Sequence, residues 1–205
     1  IKASAGLNNL QILLPMISSV EEVDEALRFI HRAYAELLEE GEKVCMPRIG
    51  VMLEVPAAVI MAKTLADRVD FLSVGSKDLI QYILAVDRNN PRVASLYQAF
   101  HPAVIHTLAN LAQELGNFNI DLSICGEMAS DPVLAALLVG MGYRCLSMSA
   151  AALLRVKWVL RRLTLDEMQE LVVIAQRCET AKECRLKVIT RMRALGIGEA
   201  IAYKV

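Results

Sequence analysis

Arg48-Ile49-Gly50-Val51-Met52-Leu53-Glu54-Val55-Pro56 runs apolar for the length of a strand, stops at a carboxylate and meets a proline suited to opening a helix. Phe71-Leu72-Ser73-Val74 stops in the same manner at Gly75-Ser76-Lys77-Asp78, and Leu122-Ser123-Ile124 stops at Cys125-Gly126-Glu127. Three buried strands with polar endings imply a common mouth.

Outward from these runs the pattern repeats. Residues 10–15 form an apolar run of strand length, and Ser18-Ser19 with Glu21-Glu22 gives a helix-start signal of cap followed by early acids. The spacing of Val23, Ala26, Leu27, Ile30, Ala33, Tyr34, Leu37 and Leu38 predicts a helix with one buried face, reaching about Glu40 and stopped by Gly41. Further helices are predicted over 56–68, 78–85, 92–98, 102–115 and 131–140, the last two closed by glycine, and further strands over 70–75, 120–125 and 144–148. Ser149 introduces another helix. Everything after Thr164 reads as helical, with capping-box spacing at Thr164/Glu167 and Thr180/Glu183.

Five apolar strands, each followed by a helix, predict a parallel sheet covered on both faces, as in a doubly wound sheet or a (β/α)8 barrel. In either architecture function gathers at the carboxyl ends of the strands. Neither a G-x-G-x-x-G turn nor a Walker A loop is present, so dinucleotide and P-loop sites lack sequence support. The barrel is the preferred reading. The expected organisation is a partial barrel over residues 1–163 and a helical extension of the same domain over 164–205.

The chain has 205 residues, 55% apolar and 22% charged, so a sizeable core is expected. A formal charge of −1 gives no basic footprint for nucleic acid. No apolar stretch approaches the roughly 18 uncharged residues of a membrane span, and no signal peptide opens the sequence, so a cytoplasmic location is expected. Cys45, Cys125, Cys145, Cys178 and Cys184 include no C-x-x-C pair, which argues for reduced thiols rather than disulfides or zinc. The sequence opens on Ile1, close before its first strand, which suggests a piece of a longer polypeptide.

The polar endings carry the candidate chemistry. Glu54 and Asp78 are hard oxygen donors suited to Mg²⁺, although each can equally cap the helix that follows it. Arg88, in Ala85-Val86-Asp87-Arg88-Asn89-Asn90-Pro91, offers a guanidinium fork for phosphate or carboxylate, and its alternative is a solvated ion pair with a neighbouring acid. Cys125 is either a small buried residue or a thiol whose ordinary pKa near 8.5 leaves it protonated and able to donate a proton. His101 and His106 are spaced five apart, which does not place two rings on one helix face, and His31 falls inside the first helix. Met16, Met52, Met128 and Met148 read as core filling or the floor of a pocket.

Taken together the motifs resemble the C-terminal, phosphoenolpyruvate-binding TIM barrel of enzyme I of the bacterial phosphotransferase system. The likeness is carried by Leu14-Pro15-Met16-Ile17-Ser18-Ser19, Gly50-Val51-Met52-Leu53-Glu54-Val55-Pro56, Gly75-Ser76-Lys77-Asp78-Leu79, Leu84-Ala85-Val86-Asp87-Arg88-Asn89, His101-Pro102-Ala103-Val104, Cys125-Gly126-Glu127-Met128-Ala129 and Leu146-Ser147-Met148-Ser149-Ala150. The resemblance implies that Glu54 and Asp78 bind Mg²⁺, that Lys77, Asp78 and Arg88 face the substrate, and that Cys125 protonates the methylene carbon of the enolpyruvate. It further implies a homodimer, and a phosphoryl group that passes to a histidine on a separate N-terminal domain and then to a phosphocarrier protein. None of the three histidines here matches that acceptor.

Two departures stand out. Lys77 occupies a position where the family usually has asparagine, and lysine lacks the amide's paired donor and acceptor. The family's barrel also has earlier strands bearing arginines for phosphate and carboxylate. With about five β/α units, the chain is expected to leave sheet edges and apolar faces uncovered and to be inactive alone in phosphotransfer. Residues 84–94 resemble the nitrogen-related branch. A pyruvate phosphate dikinase or phosphoenolpyruvate synthase has a similar barrel, and a non-catalytic dimerisation or regulatory fragment is the reading from another class.

Overall fold

A computed structural model describes residues 1–198. Five strands, β1 (Gln11–Leu14), β2 (Arg48–Leu53), β3 (Phe71–Gly75), β4 (Asp121–Cys125) and β5 (Cys145–Ser147), form one parallel sheet in the order β1-β2-β3-β4-β5. Each strand therefore pairs with its successor in the chain. A doubly wound sheet reverses its strand order part-way across, whereas a (β/α)8 barrel advances in one direction, so the order selects an arc of a barrel.

The helices are α1 (Val20–Glu39), α2 (Pro56–Ile60), α3 (Ala62–Ala66), α4 (Ser76–Leu84), α5 (Pro102–Leu115), α6 (Glu127–Ser130), α7 (Pro132–Met141), α8 (Ala150–Leu160), α9 (Leu165–Gln176) and α10 (Ala181–Ala194). Their starts follow the sequence signals. Ser19 and Glu22 form a reciprocal capping box on α1, and Thr164 and Glu167 form another on α9. Proline opens α2, α5 and α7, where its missing N–H costs no helical hydrogen bond. At α10 the box is one-sided: Thr180 accepts from the Glu183 amide, while the Glu183 carboxylate takes the amide of Glu179.

Three expectations are corrected. The helix predicted over 56–68 breaks at Met61 (φ −94°, ψ 12°) into α2 and α3. The helix predicted over 92–98 is only a 3₁₀ turn, Ala94–Leu96, because the preceding Asn90 and Asp87 side chains bond to the backbone amides two residues on and hold the segment in turns. The third concerns coverage of the sheet. Side chains from one face, including Val51, Leu53, Leu72, Val74 and Ile124, enter the apolar core beneath the helices. The other face presents Gln11, Leu13, Met52, Ser73, Ser123 and Cys145 to an open cavity of about 840 Å³. It lies open because five strands in this order form only an arc, as expected of a barrel with about five β/α units, rather than a sheet covered on both faces. The helical expectation for residues 199–205 lies outside the described residues.

The C-terminal hairpin is bound tightly to this arc. A side chain at Gly140 on α7 would collide with the Met168 carbonyl of α9, so the glycine lets the two helices touch backbone to backbone. Met168, Leu171, Val172 and Ala175 of α9 and Cys184, Val188 and Met192 of α10 join the same apolar core as the sheet.

Candidate active site

The carboxyl ends of β2, β3 and β4 converge, and each contributes one predicted group. Glu54 follows β2 and is 5% exposed. Its Oε1 accepts a hydrogen bond from the Met16 amide at 2.8 Å, which ties the end of β1 to the end of β2. The Met16 backbone adopts φ +56°, an uncommon conformation for a residue with a side chain. The other oxygen lies over Gly75, where an added Cβ would sit 2.8 Å from Glu54 Oε2.

Asp78 stands in the first turn of α4, just past β3. Arg88 returns to it because α4 ends at Ala85 in the left-handed conformation, which reverses the chain toward the helix start. Arg88 Nη1 donates to Asp78 Oδ1 at 2.8 Å, with both side chains about one-third exposed. The Gln81 side chain accepts the Arg88 amide at 3.4 Å and steadies the loop.

Cys125 ends β4 on the open face of the sheet, in register with Gly75 of β3 and Ser147 of β5. Its half-buried thiol donates to the Val74 carbonyl at 3.4 Å. Burial raises its pKa, and the charges of Glu54 and Asp78 raise it further, against a hydrogen bond with Ser73. The cysteine and both carboxylates therefore share one electrostatic neighbourhood, and the thiol is held protonated.

Lys77 is exposed, and no ion pair of its ammonium is seen among the described residues; Asp78 is paired with Arg88 instead. The backbone carbonyl of Lys77 accepts from the Tyr97 hydroxyl at 3.2 Å. Tyr97 is pushed up to about 12 by burial, with Glu127, Arg88 and Asp78 all close enough to act on it. Tyr97 and Glu127 are thus members of the mouth that sequence reasoning missed as site residues. The Gly-Glu after Cys125 was a signal for Glu127, whereas Tyr97 arrives from a long loop and carried none. His101 lies apart, capping α5 through the Ala103 amide, and His106 bonds to the Gln176 carbonyl.

The chemistry of Glu54 and Asp78, two carboxylates, is that of ligands for a divalent hard cation. Glu54 and Asp78 each have one oxygen engaged by a protein donor and one remaining, and among the described residues no third His, Cys, Asp or Glu completes a protein-only metal cluster with them. Such a pair suits Mg²⁺, which keeps waters and takes further oxygens from a phosphorylated substrate.

The sequence profile described as PEP-utilising enzyme, PEP-binding domain matches residues 1–165. The chain is 48% identical over 202 residues to a protein of Salmonella typhimurium strain LT2 named phosphoenolpyruvate-dependent phosphotransferase system, covering 98% of this chain and 27% of that protein. It is 37% identical over 187 residues to the phosphoenolpyruvate-protein phosphotransferase of Latilactobacillus sakei, covering 91% of this chain and 33% of that one. The chain thus spans about a quarter to a third of the length of these curated relatives. Among solved structures, a citrate lyase from Burkholderia xenovorans LB400 superposes with a TM-score of 0.53 at 20% identity, over 94% of this chain and 66% of that one, and supports the fold.

Proposed function

Because this chain belongs to the PEP-utilising enzyme, PEP-binding domain family, we propose that its mouth binds phosphoenolpyruvate and serves phosphoryl transfer to a histidine elsewhere in a longer phosphoenolpyruvate-protein phosphotransferase. The observation that carries this reading is the position of the Cys125 thiol, kept protonated beside the two carboxylates and on the same mouth as the Asp78–Arg88 pair. Glu54 and Asp78 are the residues that would hold Mg²⁺, which supplies charge neutralisation on the phosphoryl oxygens when bound.

The Arg88 guanidinium is suited to leave Asp78 and take two phosphate oxygens through parallel hydrogen bonds. As the P–O bond to the enol oxygen breaks, the electron pair on that oxygen re-forms the carbonyl. The methylene carbon takes the proton from Cys125 Sγ, giving pyruvate and a thiolate that is reprotonated from solvent. In the reverse direction the thiolate removes that proton. Neutral Cys125 is the form required for transfer to the protein, in keeping with its raised pKa.

The phosphoryl group then passes to a phosphocarrier protein. Residues 84–94 favour the nitrogen-related branch. A homodimer and a cytoplasmic setting accompany this reading. The exposed Ile60 and Leu154 are apolar surface for association, and among the described residues no helix is long and apolar enough to cross a membrane. The chain by itself is inactive in this reading, since the open face of the arc leaves one side of the substrate unlined.

The test is isotope exchange between pyruvate and phosphoenolpyruvate by the full-length protein with Mg²⁺. Cys125→Ala is expected to remove exchange while phosphoenolpyruvate binding, followed by calorimetry, persists. Full exchange in Cys125→Ala would end the proton-donor assignment.

A further inference from the structure

Ser76 is 1% exposed, yet it is a hydroxyl residue at a position where apolar packing would suffice for a helix start against a strand. Its Oγ donates to the Cys125 carbonyl at 2.6 Å, across from the first residue of α4 to the last residue of β4. The next residue, Gly126, has φ +108° and ψ −166°, a region essentially restricted to glycine. An added Cβ at Gly126 would lie 2.5 Å from the same Ser76 oxygen. The hydroxyl and the missing side chain therefore occupy one fitted space.

We propose that Ser76 is the positioning residue for Cys125: by gripping its carbonyl it fixes the sharp turn at Gly126 and so aims the thiol at the substrate's methylene carbon. This rests on the reading of Cys125 as the proton donor. The geometry is specific in three ways. Gly75 and Cys125 are register partners, so the end of β3 directly adjoins the end of β4. The hydrogen bond reaches across the two strand ends rather than along the chain, coupling the turn that launches Asp78 to the turn that carries the thiol. Its acceptor belongs to the cysteine itself, so rotation of that peptide plane moves Cys125 directly. Ser76 touches no substrate in this scheme and acts only through Cys125.

A misplacement on the order of 1 Å at a reacting group is enough to cost up to about 100-fold in rate. In the full-length protein, Ser76→Ala is expected to lower the pyruvate exchange rate by roughly 10- to 100-fold at saturating substrate with little change in KM. Ser76→Thr, which keeps the hydroxyl, is expected to restore most of it. The second readout does not depend on activity: the pH dependence of alkylation at Cys125, followed by peptide mass spectrometry so that the exposed Cys45 and Cys145 do not contribute. Ser76→Ala is expected to move that profile toward lower pH, toward an ordinary thiol, and Ser76→Thr to leave it in place.

Gly126→Ala, which crowds the same oxygen from the other side, is expected to shift the profile as Ser76→Ala does and supplies the test if Ser76→Ala fails to fold. An unchanged alkylation profile in a folded Ser76→Ala or Gly126→Ala protein overturns the proposal. So does wild-type exchange in Ser76→Ala when Cys125→Ala is inactive. Retention of exchange by Cys125→Ala would instead defeat the proton-donor reading, and the alkylation profile would still decide whether Ser76 places the thiol.

Discussion

Arg88 Nη1 lies 2.8 Å from Asp78 Oδ1, so the carboxylate proposed to hold a cation and the guanidinium proposed to hold phosphate form an ion pair with each other. The pair is part-exposed and of modest worth to folding, in line with surface ion pairs. Asp78→Asn is expected to weaken Mg²⁺ binding, and Arg88→Met to weaken phosphoenolpyruvate binding with Mg²⁺ retained. Each loss is on the order of 10- to 100-fold, the scale of a hydrogen bond to a charged group. Calorimetric titration of each ligand separately checks both; equal loss of both ligands in either variant would contradict the assignment.

A second prediction concerns Gly75. An added Cβ there would press on Glu54 Oε2 at 2.8 Å and on Met52 Sδ at 3.0 Å. Gly75→Ala should therefore displace the Glu54 carboxylate and weaken Mg²⁺ binding at least as much as Asp78→Asn, while the helical circular dichroism spectrum is retained. Undisturbed metal affinity would mean that Glu54 does not hold the cation from its present rotamer.

The pH dependence of Cys125 has a definite sign. Burial and two nearby carboxylates disfavour the thiolate, so its alkylation should set in at higher pH than the value of about 8.5 for a free cysteine. Replacing one carboxylate, as in Glu54→Gln, should move the onset down without bringing it to the free value, since burial is the larger cause. Rate profiles at Cys125 measured between pH 7 and 10.5 decide this.

Alkaline stability follows from Cys184 and Tyr143. Burial pushes the Cys184 thiol up to about 12 and raises the Tyr143 phenol well above its ordinary range. In the unfolded chain these groups ionise near about 8.5 and 10. Their stabilising effect is therefore complete below the unfolded values and is lost as pH rises toward the folded ones. Urea midpoints are expected to fall steadily above pH 9, and Cys184→Ala to flatten that fall while lowering the midpoint at pH 7. Tyr143 also donates to the Leu108 carbonyl at 3.1 Å, so Tyr143→Phe should cost about 1 kcal/mol at pH 7.

Much of this was legible in the amino-acid sequence. The starts of α5 and α7 and the centres of all five strands fall where proline, glycine and apolar runs place them, and the strand ends brought Glu54, Asp78 and Cys125 together. What escaped depended on long-range geometry. An open side was expected of a barrel with about five β/α units, but Ser73 and Ser123 inside apolar runs read as minor interruptions, so which residues line that open face was not legible. Tyr97 joins the site through a loop whose path depends on the left-handed turn at Ala85, a conformation that no local preference of alanine announces. The grip of Ser76 on Cys125 depends on β3 and β4 being neighbours, which becomes visible only once strand order is known.

Gly140 has a wider reach than its size suggests. By allowing the α7 backbone to rest on the Met168 carbonyl, it fuses the C-terminal hairpin to the second helix after the Cys125 turn, just beyond the short α6. The hairpin and the cysteine strand should therefore open and close as one cooperative unit, with amides of α9 and β4 exchanging with solvent at a common free energy. Gly140→Ala is expected to split that unit. Amide exchange would then show α9 loosening first, at a cost of about 1–3 kcal/mol to the whole, as an overpacked interior contact does. A helix pair remote from the mouth would in this way govern how long the thiol stays sheltered from solvent.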